Sequence, residues 1–281
     1  MIRKIKPHTL DKLTLVDKCT NAYLVATKRL NNKYYIDAFA GTGKCFLCSR
    51  VRCSINNDEK CRNCGRGKFI DGSCLRVLKI KNNFDKYFFI DLINSNVNLL
   101  KKYVNDDEEI DANLKEKIEY IKGDSNKVLK KICDKLKDEK YIGCLAFLDP
   151  EGPELYWETI RYLSEIPKID LLILYAYEMS LVRLTGEYKE KLDKFYGGEE
   201  WREIYMKGSS AQKRTNNLLN FYIDNLKKLG FMVAEKRITR KMRGGHALYH
   251  LIGASKNRAG FNIFQGVLND KELDGQKKLP I

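Results

Sequence analysis

The strongest constraint on this chain is a series of short β-branched and aromatic runs that break off at an acid or a glycine turn. Tyr34 to Phe39 runs into Gly41-Thr42-Gly43, and Tyr87-Phe88-Phe89-Ile90 ends in Asp91. Tyr120 to Lys122 ends in Gly123-Asp124, and Leu145 to Leu148 ends in Asp149-Pro150. A fifth run covers Leu171 to Tyr175, and two more, 231–238 and 248–254, close the pattern. Between them, residues 8–30, 93–103, 126–137, 156–165, 178–206 and 211–229 carry apolar positions at helical spacing, and 73–79 can open a further helix. Strands alternating with helices predict an α/β fold with a mostly parallel seven-stranded sheet covered on both faces, its last two strands forming an antiparallel edge. No repeat or low-complexity linker divides the pattern, so residues 1–281 read as one domain.

Composition narrows the class. The formal net charge of +15 attracts polyanions, nucleic acid first among them. Residues 44–68 hold seven basic side chains against two acids, and 236–243 hold five basic side chains with no acid between them. Arg50, Arg52, Arg62 and Arg66, with the 236–243 loop, are the expected contacts to nucleic acid, RNA in particular. No apolar run approaches the roughly 20 residues of a membrane span, and the opening segment lacks a secretory core, which predicts a cytoplasmic protein without a membrane partner.

In doubly wound sheets a ligand sits beyond the carboxyl ends of the strands, where a glycine loop lets backbone approach it. Here four strand ends line up. The first supplies Asp37, Phe39, Gly41 and Gly43. Asp91, ending the second, can accept hydrogen bonds from ribose hydroxyls, and Asp124, followed by Ser125, can take an adenine amino group. Asp149 and Pro150, at the fourth end, lie where a methyl acceptor enters and are the catalytic candidates: Asp149 and the Pro150 carbonyl would take a proton or hydrogen bond from an amine. This order describes a Rossmann-like class I methyltransferase that uses S-adenosylmethionine. A P-loop reading fails because Ala38 stands at its first glycine position and Cys45 replaces the hydroxyl that would hold magnesium.

One interval is out of proportion. The glycine loop and the ribose acid usually lie about 20 residues apart, yet Asp91 follows Asp37 by 54 positions. Removing the 30 residues from Cys45 to Cys74 leaves 24, so that block reads as an insertion. Six of the nine cysteines fall within it. Cys45-x-x-Cys48 and Cys61-x-x-Cys64 match a closed zinc site of four thiolates, with an iron–sulfur cluster as the alternative. Cys53 and Cys74 are spare thiols or substitutes for one of the four. Cys19, Cys133 and Cys144 read as core residues, and His8, His246 and His250 as structural or solvated.

These motifs, in order, resemble the three-Cys-motif partner family. The residues concerned are Lys6-x-His8-Thr9, Tyr35 to Gly43, Gly72-Ser73, Phe89-Ile90-Asp91, Gly123-Asp124-Ser125-Asn126 and Phe147-Leu148-Asp149-Pro150-x-Gly152. The likeness continues through Trp157-x-Thr159-Ile160, Phe195-Tyr196-Gly197-x-x-x-Trp201 and Tyr249 to Ile252. It implies a methyltransferase-like fold and a protein partner of the radical-SAM type. The cysteine block is an addition to that pattern, and Glu151 replaces an aromatic or bulky apolar residue. Asp-Pro-x-Gly is also similar to the strand-four motif of tRNA guanine-N2 methyltransferases. The expectation is therefore methyl transfer to RNA, a tRNA base amine being favoured. The alternative is a non-catalytic protein that binds S-adenosylmethionine or nucleic acid beside another enzyme.

Overall fold

The computed structural model describes residues 4–5, 7–48, 67–176, 187–239 and 247–269. Its main sheet contains β2 (Asn32–Asp37), β5 (Lys86–Asp91), β6 (Ile118–Lys122), β7 (Ile142–Leu148), β8 (Ile169–Ala176), β9 (Met232–Thr239) and β10 (Ala247–Ser255). Their order is β6-β5-β2-β7-β8-β10-β9. The first five are parallel and β10 runs antiparallel to both its neighbours. The expected mostly parallel seven-stranded sheet with an antiparallel edge is what the chain forms.

Helices cover both faces, and the central strands are buried on both sides. Every residue of β7, the central strand, is buried. Alternate residues divide between two cores, as the pleat demands. Ile36, Phe88, Ile90, Ala146 and Leu148 pack against α5 (Ser125–Leu136), α6 (Trp157–Leu163), α7 (Glu187–Tyr196) and α9 (Ala211–Lys228). Tyr35, Tyr87, Phe89, Leu145 and Phe147 face α1 (Pro7–Ala26), α2 (Ser73–Leu78), α3 (Asn94–Asn105) and α10 (Arg258–Leu268).

A second, three-stranded sheet stands apart. The hairpin β3 (Lys44–Cys48) and β4 (Gly67–Asp71) pairs antiparallel, and β1 (Lys4–Ile5) adds to β3 in parallel. The excursion leaves the main domain at Gly43 and returns at Gly72, whose N–H donates to the Gly43 carbonyl at 2.7 Å. The inserted piece is therefore shorter than the cysteine spacing suggests: Cys74 lies beyond it, in α2, wholly buried in the domain core.

Two other expectations change. The helix over 178–206 is two helices, α7 and α8 (Glu200–Met206), parted by Gly197 and Gly198 at φ +82° and +158°. Residues 177–186 lie outside the described residues. The polar link 105–113 runs into a one-turn helix, α4 (Ala112–Lys115), and α10 follows the last strand where no helix was expected.

Candidate functional site

The strand order places a topological switch at β2: the chain leaves it for β5 and β6 on one side, then crosses from β6 to β7 on the other. Open α/β sheets bind ligands at the carboxyl edge of such a point. The glycine loop lies there. Ala40 N–H donates to the Ile90 carbonyl at 2.8 Å, and Gly41 N–H to Asp91 Oδ2 at 2.9 Å, so the loop is fastened across the end of β5. Gly41 has φ +62°, a left-handed conformation that costs other residues energy, and a Cβ built there meets nothing within 4 Å. Gly43, at φ +81°, is pressed onto the Leu100 side chain instead. One glycine thus faces open space and the other faces packing.

Asp91 keeps the loop and α3 in register. Its Oδ1 accepts from Ile93 N–H at 2.8 Å and Asn96 Nδ2 at 3.1 Å. A carboxylate offers about four lone-pair directions, so one remains at Oδ2 beside Gly41. The two residues that follow, Leu92 and Ile93, are apolar yet 64% and 55% exposed. Exposed apolar side chains next to an acid and an open glycine are the residue types a nucleoside site draws on. Leu92 escapes a reading of the sequence because a lone exposed leucine carries no periodic signal.

Asp37 was expected to touch the cofactor, but it is fully buried. Ser73 Oγ donates to its Oδ2 at 2.6 Å, the Cys74 thiol to the same oxygen at 3.3 Å, and Phe39 N–H to Oδ1 at 3.2 Å. Burial pushes its carboxyl up to about 6 against these three donors, and the nearby Asp149 adds to the rise. Asp37 therefore acts from beneath the loop, fastening it to α2. Cys74, with its thiol on Asp37 and the Ala40 carbonyl, is part of the same brace and is no candidate metal ligand.

Asp124 and Ser125 sit at the end of β6 as expected, both with structural employment. Asp124 caps α5 by accepting from Asn126 N–H at 2.8 Å and Lys127 N–H at 3.4 Å. Ser125 donates to the Ala38 carbonyl. Asn126 then reaches over to the segment after β7. Its Nδ2 donates to the Glu154 carbonyl at 2.8 Å, and its Oδ1 accepts from Tyr156 N–H at 2.9 Å and Thr159 Oγ1 at 2.7 Å. The ends of β6 and β7 are thereby held together.

At the end of β7, Pro150 is buried and Glu151 exposed. Asp149 is ion-paired with Lys12 of α1, a residue only 8% exposed. Lys12 was not among the expected site residues, although the sequence carries a signal: it interrupts the apolar stripe formed by Val16, Cys19 and Tyr23.

Of the four expected metal ligands, Cys61 and Cys64 lie outside the described residues, as do Cys53, Arg50, Arg52, Arg62, Arg66 and residues 240–243 of the basic loop, whose first half, 236–239, is strand. Cys45 and Cys48 lie on β3. No group of three or more potential metal ligands comes together among the described residues. His250 is buried with Nδ1 2.6 Å from Glu235, a structural partner as expected. No helix among the described residues is long and apolar enough to cross a membrane.

No family model matches the chain, and no curated protein matches it. Solved structures do resemble it. A Legionella pneumophila protein of the DUF519 family model aligns over 92% of both chains with 12% identity and a TM-score of 0.48. Trm1 from Pyrococcus horikoshii, solved with S-adenosyl-L-methionine, aligns over 88% of this chain and 57% of its own, with 13% identity and a TM-score of 0.44. The methyltransferase domain of bacterial CtHen1 aligns over 86% of this chain and 97% of its own, with 12% identity and a TM-score of 0.43. At these scores the α/β assignment rests on the strand order of the chain itself.

Proposed function

We propose that this chain is an S-adenosylmethionine-dependent methyltransferase of the three-Cys-motif partner type, acting on RNA with a tRNA base amine as the favoured acceptor. The observation that carries the reading is the open Gly41 backbone held beside Asp91 at the switch point. Asp91 would take the ribose hydroxyls, Leu92 and Ile93 the adenine face, and the Asp124–Ser125 turn the adenine edge. When bound, the cofactor supplies an electrophilic methyl group. The chain's own part is to orient the two reactants, through the Asn126 brace between strand ends, and to receive the amine's hydrogen bond at Asp149 or the Pro150 carbonyl. Arg50, Arg52, Arg62 and Arg66 would grip the RNA backbone.

Calorimetry with S-adenosylhomocysteine tests the donor site. Micromolar binding is expected, and Asp91→Ala should weaken it by about 1–3 kcal/mol, the range for an unmade hydrogen bond to a charged group. Tight binding of magnesium–ATP without S-adenosylhomocysteine binding would overturn the reading. Glu151, standing where the family carries an aromatic or bulky apolar residue, favours the second reading, a non-catalytic partner protein. Donor binding without methyl transfer to any RNA would establish it. Zinc remains part of the proposal, with Cys45, Cys48, Cys61 and Cys64 as the four thiolates of one site. Elemental analysis should then find about one zinc per chain, and iron with visible absorbance would establish the cluster instead.

A further inference from the structure

Lys12 and Asp149 are 137 residues apart and meet at the carboxyl edge of the sheet. The ammonium is nearly buried, with a side chain 10% exposed against 19% for the carboxylate. Removing two charges from water offsets most of what their attraction gains, so a buried pair is weak as a stabilising device. Its electrostatic consequence is large. Burial is the main cause that pushes up the carboxyl of Asp37 and the hydroxyl of Tyr249, and Asp149 adds to both, so it lies electrically close to the floor of the glycine loop and to β10. Without Lys12 its field would be that of an uncompensated carboxylate in a poorly solvated corner.

A methyl donor of the sulfonium class is cationic where it reacts, and its thioether product is neutral there. We infer that Lys12 is a specificity-determining residue. By cancelling the charge of Asp149 it makes the site nearly indifferent to the charge at the sulfur position, so that donor and product are held with similar affinity. The inference rests on the donor site proposed above and adds to it a residue that touches neither strand-end acid of the nucleoside pocket.

The test is a ratio. Affinities of the full-length protein for sinefungin, which carries an amine near the position of the sulfonium methyl, and for neutral S-adenosylhomocysteine are measured by calorimetry. In the wild-type protein the two should agree within about threefold. Lys12→Met should raise the sinefungin preference about tenfold, and Asp149→Asn should lower it by a similar factor, as expected for one unit charge a few ångströms away. The double variant and Lys12→Arg should return the wild-type ratio. If Lys12→Met does not fold, the Asp149→Asn shift carries the test alone. Both probes binding with a ratio unchanged in every folded single variant overturns the role of Lys12 and leaves the donor site standing. Neither probe binding to the wild-type protein overturns the donor site, and this inference with it.

Discussion

The two edges of the main sheet each hold a buried carboxylate, and the contrast between them separates site from scaffold. At the carboxyl edge, Asp37 is pushed up to about 6 by burial and sits under a loop whose Gly41 opens onto space. At the amino edge, Asp170 of β8 is pushed up to about 7 by burial, with a Ser255 hydrogen bond opposing the rise. Its surroundings are closed: a Cβ at Gly260 of α10 would fall 2.3 Å from Ser255 Oγ and 2.8 Å from Asp170 Oδ1. By perturbation alone, Asp170 is the better active-site candidate. A raised carboxyl records burial, and a site also needs room for a ligand.

The largest effect that could break this contrast is in the pH dependence of stability. A carboxyl whose native value lies above its unfolded value stabilises the fold when protonated. That contribution is full below pH 4 and is lost as pH rises through about 7. Between pH 5 and 8, urea unfolding of the wild-type protein should lose about 2–3 kcal/mol from this group. Asp170→Asn should remove that loss and leave S-adenosylhomocysteine binding unchanged. A change in binding would place function at the amino edge too. Next comes Gly260→Ala. It forces a methyl group against two buried polar side chains and should destabilise the fold by about 2 kcal/mol, again without affecting ligand affinity. The smallest effect on stability, about 1 kcal/mol, belongs to Gly41→Ala, which meets only the left-handed backbone penalty. Here the sharper readout is binding, which should weaken because the new methyl group occupies the open face. Equal effects of the two glycine variants on binding would erase the distinction between the edges.

Much of this architecture is legible in the amino-acid sequence. The strand ends at Asp37, Asp91 and Asp149 stand out because each follows or closes an apolar run long enough to be a strand and too short to be a helix, and Asp124 because a β-branched and aromatic stretch breaks off at the Gly123 turn before it. Which of those acids faces a ligand does not. Asp37 and Asp91 look alike in sequence, and only the Ser73 and Cys74 side chains, 36 and 37 positions further on, turn the first inward. Cys74 misleads for a related reason. Cysteine spacing predicts metal ligands when the chain between them is a turn, and here the chain has already returned to the domain at Gly72. The pairing of Lys12 with Asp149 lies outside local pattern altogether, although a lysine on an apolar stripe marks a position needing an acidic partner.

Because β1 hydrogen-bonds to β3, with Ile5 opposite Leu47, and only Lys6 separates it from α1, the cysteine-bearing hairpin is geared to the helix that carries Lys12. From Pro7 to Lys12 the path is helix, a stiff rod of about 1.5 Å per residue. The hairpin is thus tied at one side to that rod, through β1, and at the other to the glycine loop, which β3 leaves directly at Gly43. The insertion is a lever arm as well as an ornament on the sheet: load applied to it reaches the glycine loop and the Lys12–Asp149 pair by two separate paths.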